Sequence, residues 1–348
     1  EFATEHYEEA RAAVAELLHA NTDEIVFTRN ASESLNLIAY SLGNLVLRPG
    51  DEVLVSIMEH HSNMLPWQMV ARQTGAKLIY LECEKDGSLS EAKLDEAFSD
   101  KTRLVAITQV SNVLGRPTPV EEIVRRARKS NAVVVLDAAQ SSPHMPIDVQ
   151  KLDVDFLAFS GHKLMGPMGI GVLYGKKKLL KAMPPFLTGG EMIDSVTRDG
   201  AKYAELPHKF EAGTVNAAGA VGLAAAIDYI NKIGFETMQE RELTLTKRAL
   251  EGLKAIPKVH VLGSELAEEH TGILTFTIED VHPHDVSAVL ESDGVAVRAG
   301  HHCAQPLLEY LGVRSATRAS LMFYNTEEEV DALVKSVAGV RRRMGYGE

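Results

Sequence analysis

Across residues 24–174, short apolar runs of strand length alternate with longer amphipathic stretches, and this alternation restricts the fold more than any other feature. Strands apolar on both faces, separated by helix-length segments, build a parallel sheet covered by helices on both sides. The runs at 24–28, 52–57, 77–81, 103–108, 132–136, 156–159 and 169–174 predict the strands. The stretches at 32–41, 64–73, 91–98 and 120–129 predict helices between them. A doubly wound α/β unit follows, and ligands of such sheets gather at the carboxyl ends of the strands.

Gly189-Gly190 and the polar residues up to Ala201 predict a long surface loop, ahead of an Ala-rich helix at 217–230. From about Phe235 the pattern changes. A long helix, strands near 259–261 and 273–278, a helix near 285–291, a strand at 295–298 and a closing helix from Thr326 predict a smaller α+β unit. At 348 residues the chain exceeds what one hydrophobic core usually fills, so we divide it into a large unit, 1–232, and a small C-terminal unit, 233–348.

A formal net charge of -12 argues against nucleic acid and against an anionic membrane surface, both of which call for basic patches. The expected ligand is small. The two cysteines, Cys83 and Cys303, stand far apart with no CxxC spacing, which points to a reducing compartment, the cytoplasm by default. The acidic first residues lack the apolar core of a signal peptide, and no apolar run approaches membrane-spanning length.

Val133-Val-Val-Leu-Asp137 delivers an acid at the end of a buried strand. Such an acid serves a ligand, a helix cap or a metal. One strand later, Ser160-Gly-His-Lys163 places a lysine in a glycine-bordered turn. Alone, Lys163 reads as a solvated loop residue. Paired with Asp137, it fits pyridoxal phosphate (PLP), whose aldehyde joins a lysine amine while an acid keeps the pyridine nitrogen protonated. Thr28-Arg-Asn-Ala-Ser-Glu-Ser34 puts small polar residues where a strand passes to a helix N-terminus, suited to a phosphate or to plain capping by Asn30 or Ser32. His60-His61 and His301-His302 raise the question of zinc. Adjacent residues on extended chain point apart and no HExxH or CxxC spacing helps, so no metal site is expected. Cys303 sits in a short loop bordered by glycine and proline, next to cationic and donor groups that favour a thiolate, whereas Cys83 stands among carboxylates and receives no role.

These motifs together resemble one family. Asp137-Ala-Ala-Gln140, Ser160-Gly-His-Lys163, Glu59-His-His-Ser-Asn63, Val110-Ser-Asn-Val-Leu-Gly115, Phe210-Glu-Ala-Gly-Thr214 and Arg298-Ala-Gly-His-His-Cys303-Ala-Gln-Pro are similar to those of the SufS-type (group II) cysteine desulfurases. That group belongs to the class V aminotransferases, within fold type I of the PLP-dependent transferases. The resemblance runs in order along essentially the whole chain. It implies a large unit with a mostly parallel seven-stranded sheet, and conversion of L-cysteine to L-alanine with the sulfur held as a persulfide on Cys303.

Residue by residue, the resemblance makes Lys163 the Schiff-base lysine, Asp137 the partner of the pyridine nitrogen, and Gln140 the contact of the ring hydroxyl. His60 stacks on the ring. Ser32, Ser160 and His162 hold the phosphate, and Thr214 reaches it from the other subunit of a homodimer. Asn112, Arg298 and Arg318 bind the substrate, with Arg318 on its α-carboxylate. Ala31-Ser32 stands where a Thr pair is usual, and Val215 follows Thr214 where proline is common. Family members begin with a further segment carrying a Tyr-Leu-Asp-x-Ala-Ala-type motif, and the given sequence starts after it. The short cysteine loop implies a docking acceptor of the SufU or SufE type and a place in iron–sulfur cluster assembly. The rival readings are selenocysteine lyase, another enzyme of the same fold such as an aminotransferase or kynureninase, and a catalytically impaired scaffold.

Overall fold

The computed structural model describes residues 1–346. Helix α1 (Phe2–Leu18) leads into β1 (Ile25–Thr28), α2 (Ala31–Val46) and β2 (Glu52–Ser56). Next come α3 (Leu65–Thr74), β3 (Lys77–Leu81), α4 (Glu91–Ala97) and β4 (Thr102–Thr108). Helix α5 (Val120–Lys129), β5 (Val133–Asp137), the one-turn α6 (Val149–Leu152) and β6 (Phe156–Ser160) continue the alternation. It closes with β7 (Gly171–Gly175) and α7 (Lys177–Ala182).

The strands form one sheet in the order β1-β7-β6-β5-β4-β2-β3. Four neighbouring pairs are parallel, and only β7 runs against both its neighbours. Alternate side chains serve opposite cores: Val105, Ile107, Val134 and Leu136 join one apolar cluster, while Leu104, Ala106 and Val135 join the other. Each buried Val, Leu or Ile contributes about 1.5–3 kcal/mol on this footing. That two-sided burial is why these strands read as continuous apolar runs.

The expected surface loop at 189–201 instead folds back as an exposed hairpin of β8 (Ile193–Val196) and β9 (Ala201–Tyr203). Its polar sequence hid the pairing. Helix α8 (Ala217–Ile233) buries Gly219, Ala220 and Leu223, the small residues permitting close approach.

Helix α9 (Phe235–Lys254) opens the remainder, followed by β10 (Val259–Leu262), β11 (Ile273–Ile278) and α10 (Pro283–Ser292). Strand β12 (Arg298–Gly300), α11 (Gln305–Tyr310), β13 (Ala316–Ser320) and α12 (Glu327–Arg343) complete it, with Thr326 capping α12. The second sheet is antiparallel in the order β10-β11-β13-β12, over its own core of Leu250, Phe276, Leu290 and Leu333. The strand expected at 295–298 lies at Arg298–Gly300, because Val295 closes the turn after α10 and packs on that core instead. A small cluster of Met58, Cys83, Leu114, Ala304 and Leu307 joins α11 to the loops of the first sheet. Among the described residues, no helix is long and apolar enough to cross a membrane.

Candidate active site

The turns after β1, β2, β4, β5 and β6 meet at the carboxyl ends of their strands around a cavity of about 270 Å³. Ser32, His60, Asn112, Asp137, Gln140, Ser160, His162, Lys163 and Arg298 all line it. Two larger hollows, of about 870 and 570 Å³, lie elsewhere and hold none of these residues. Thr214 is exposed and lines none of these hollows.

At the phosphate-like corner, the capping question has an answer. Asn30 Oδ1 accepts from the Glu33 amide (3.0 Å), so Asn30 caps α2 and Ser32, not used as the cap, lines the cavity. Ser160 Oγ accepts from the Ala31 amide (2.9 Å), and Ser32 Oγ hydrogen-bonds Ser62 Oγ (2.6 Å). Gly171 makes this corner feasible. A Cβ there would lie 2.4 Å from the Asn30 Cα, so only glycine lets β7 pass the turn.

Asp137 is 4% exposed, and one carboxylate oxygen accepts from the Ala139 amide (2.9 Å). Burial raises its proton affinity, against the opposing pull of that amide and of Lys163. Lys163 is half-buried. Loss of solvent lowers its pKa; Asp137 opposes this, and the cations of Arg318 and Arg298 reinforce it. Burial, then Lys163, brings His60 down to about 4, so its ring is neutral at pH 7. Its Nδ1 accepts from the Ser62 amide (3.1 Å), which leaves the proton on Nε2.

Cys303 stands beside this cavity on a loop with a strained backbone. His302 and Cys303 take φ of 55° and 56°, left-handed values that cost non-glycine residues about 1 kcal/mol or more each. Three contacts over-determine that shape. Asn112 Nδ2 donates to the His302 carbonyl (2.7 Å), His302 Nε2 donates to the Ala316 carbonyl (3.0 Å), and the His61 amide donates to the Cys303 carbonyl (2.7 Å). Arg298 Nη2 donates to Cys303 Sγ (3.4 Å). Strand register sets Arg298 opposite Arg318, whose Nη1 donates to the Asn112 carbonyl (2.9 Å). Burial, then the facing Arg298, brings Arg318 down to about 10. Two guanidiniums on facing positions concentrate positive charge, chemistry that suits an anionic group. Cys303 is half-buried, whereas Cys83 is fully buried, and burial pushes the Cys83 thiol up to about 11.

The sequence reading gave His60 a role and passed over its neighbours. Glu59 lies buried beneath the turn, and His61 and Ser62 tie that turn to the cysteine loop and to Ser32. The signal was the quoted motif itself, Glu59-His-His-Ser-Asn63, which carries more polar residues than a turn requires.

The residues present fit pyridoxal phosphate and an amino-acid substrate. A buried acid and a desolvated lysine share one cavity with a neutral imidazole, and hydroxyls gather at the start of α2. Asn112 Oδ1 and Arg318 Nε are buried with no hydrogen-bond partner among the described residues, as expected of groups reserved for a ligand.

Comparison with known proteins points the same way. Residues 1–333 match the family described as aminotransferase class-V. A protein of Halalkalibacterium halodurans, named a probable cysteine desulfurase, is 49% identical over 345 residues, spanning 99% of this chain and 84% of that protein. The chain is 46% identical to the cysteine desulfurase of Pectobacterium atrosepticum, over 99% of this chain and 84% of that one. The crystal structure of the cysteine desulfurase CsdA from Escherichia coli superposes with a TM-score of 0.93 at 42% identity, covering 98% of this chain and 85% of the other.

Proposed function

The chain belongs to the class-V aminotransferase family, and from that premise we propose how it acts as a PLP-dependent cysteine desulfurase, turning L-cysteine into L-alanine and taking the sulfur onto Cys303. The observation that carries this reading is the Cys303 thiol held by Arg298, a residue that also lines the cavity of Lys163 and Asp137.

Asp137 would hold the cofactor's ring nitrogen, Gln140 its ring hydroxyl and His60 its face. Ser32, Ser160 and His162 would hold its phosphate, and Thr214 would reach the same phosphate from the second subunit of a homodimer. When bound, pyridoxal phosphate supplies an electron sink at the substrate's Cα. Arg318 and Asn112 fix the α-carboxylate, which turns the Cα–H bond toward Lys163. The Lys163 amine, its pKa lowered by loss of solvent, takes and returns that proton. Cys303 Sγ then attacks the substrate sulfur. An S–S bond forms, the C–S bond breaks with its electron pair left on Cβ, and Cβ takes a proton to leave as alanine. Arg298 steadies the attacking sulfur.

We assign residues 1–232 to cofactor binding and 233–348 to the unit that presents the cysteine loop. A half-exposed nucleophilic thiol suits a reducing cytoplasm. The persulfide passes to a docking acceptor of the SufU or SufE type, for iron–sulfur assembly. Mass spectrometry of the protein after exposure to L-cysteine tests the core of this reading. A mass gain of one sulfur atom on the peptide of Cys303, with alanine released, is expected. An unmodified Cys303 during full turnover would overturn it.

A further inference from the structure

Beneath the His60 turn lies an acid for which the reaction has no use as proton donor or base. Glu59 has no exposed surface. Its Oε1 accepts from Ser56 Oγ (2.5 Å) and the Thr108 amide (2.9 Å), and its Oε2 accepts from Asn63 Nδ2 (2.7 Å). Asn63 Oδ1 in turn accepts from Trp67 Nε1 (3.0 Å). One side chain thus gathers the end of β2, the end of β4, the turn and α3.

The anchored turn faces two ways. Toward the cavity it presents His60, and Ser62 reaches Ser32. Toward the cysteine loop, the His61 amide holds the Cys303 carbonyl, and His61 Nε2 accepts from the Gln305 amide (3.1 Å). We propose that Glu59 is a positioning residue that acts through the His60–Asn63 turn to set the register between the cofactor cavity and the Cys303 loop.

The direction of each hydrogen bond makes this specific to a carboxyl group. Trp67 is donor only, so Asn63 must turn its oxygen to the indole and its amide to Glu59. Burial, against the three donors, brings Glu59 up to about 8, yet Oε2 faces Asn63 and Oε1 faces the Thr108 amide with or without a proton. The Ser56 hydroxyl can turn to give or take the remaining hydrogen. A glutamine here fails in either orientation. Its amide nitrogen would meet Asn63 Nδ2 or the Thr108 N–H, donor against donor, in a site that water does not reach. Changing Asn63→Asp at the same time repairs the conflict. The introduced amide then donates to the introduced carboxylate, which also accepts from Trp67, and the glutamine oxygen keeps Thr108 and Ser56.

The test compares wild type, Glu59→Gln and the double variant Glu59→Gln with Asn63→Asp. Two readouts need no bound cofactor. The alkylation rate with iodoacetamide reports the Cys303 loop, since Cys83 is fully buried. The emission of Trp67, the single tryptophan, reports the network. The third readout is cysteine turnover, which alone depends on the function proposed above. Glu59→Gln is expected to alkylate about tenfold faster, to shift the emission, and to lose about tenfold in kcat with KM little changed, the scale of one buried hydrogen bond left unmade. The double variant should return all three toward wild type. A Glu59→Gln protein that alkylates at the wild-type rate would overturn the proposal, as would a double variant no better than the single. Should Glu59→Gln not fold, Ser56→Ala removes one donor and keeps the rest; it should alkylate about threefold faster, and wild-type behaviour there counts against the proposal. Recovery of alkylation and emission in a protein without desulfurase activity would instead leave Glu59 in place and sink the function.

Discussion

In the proposed reaction Asp137 and Cys303 act at opposite ends, and the molecule holds them by different physics. Asp137 ends a central strand, 4% exposed, with apolar cores on both faces of the sheet behind it. Its position follows from burial. Cys303 sits in a left-handed turn at the edge of the small cluster of Ala304 and Leu307, and three hydrogen bonds to three other segments keep it there. The first arrangement resists any single change at the surface, while the second depends on each contact. Cofactor binding and sulfur capture should therefore fail separately, and the following variants test that separation.

The largest effect is expected from Lys163→Ala. Among the described residues, no hydrogen bond depends on this side chain, so the fold should persist while cysteine turnover falls by about 10³-fold or more. The visible absorption of the cofactor-loaded protein should change with it. A spectrum and rate like the wild type's would remove Lys163 from the chemistry. Next, Cys303→Ala should keep cofactor binding intact and lose the persulfide, with cysteine turnover down by about 10²-fold or more. Selenocysteine should be partly spared, because selenium leaves more readily. Equal loss of cofactor and activity in this variant would break the contrast drawn above.

Arg318→Lys comes third. An ammonium keeps the charge and loses the planar fork, so KM for cysteine should rise by about tenfold or more, the equivalent of one charged hydrogen bond, with a smaller change in kcat. A variant altered only in kcat would mean that Arg318 does not grip the carboxylate.

The two regions also differ in how far the amino-acid sequence revealed them. Apolar runs fixed the strand ends, and with them Asp137 and Lys163. Cys303 was legible from its glycine, proline and basic neighbours. Arg318 was not legible as a strand residue: Ala316-Thr-Arg-Ala-Ser320 has no apolar run, and its pairing with β11 and β12 settles the matter only in three dimensions. The same holds for Glu59, whose partners Ser56, Asn63 and Thr108 come together only when β2 and β4 lie side by side. Arg11 in α1 pairs with Glu211, 200 residues away, a contact with no local signature. Local pattern finds what a strand or turn dictates, and it misses polar groups whose burial depends on distant neighbours.

The smallest expected effect concerns acid. Burial, then the Arg318 cation, lowers His302 from 6.5 to about 4. In the window between those values the unfolded chain takes up a proton that the folded loop refuses. At this group the unfolded state thus binds more protons, so the contribution of His302 to stability rises with pH from about 4 to about 6.5, while the buried Glu59, raised to about 8, contributes a slope of the opposite sign. A shift of this size sets a ceiling of about 3 kcal/mol on the His302 contribution. His60 is also lowered to about 4 and adds a slope of the same sign from the cavity side. The two contributions separate by replacement. His302→Asn removes one titrating group from the loop, so its melting temperature should fall less steeply between pH 6.5 and pH 4 than that of the wild type, by a few degrees across the window. Its absolute stability should be lower at pH 7, since the bond from Nε2 to the Ala316 carbonyl is lost. An unchanged slope would mean that acid sensitivity belongs to the cavity alone, and that the cysteine loop, for all its strained backbone, does not respond to protonation.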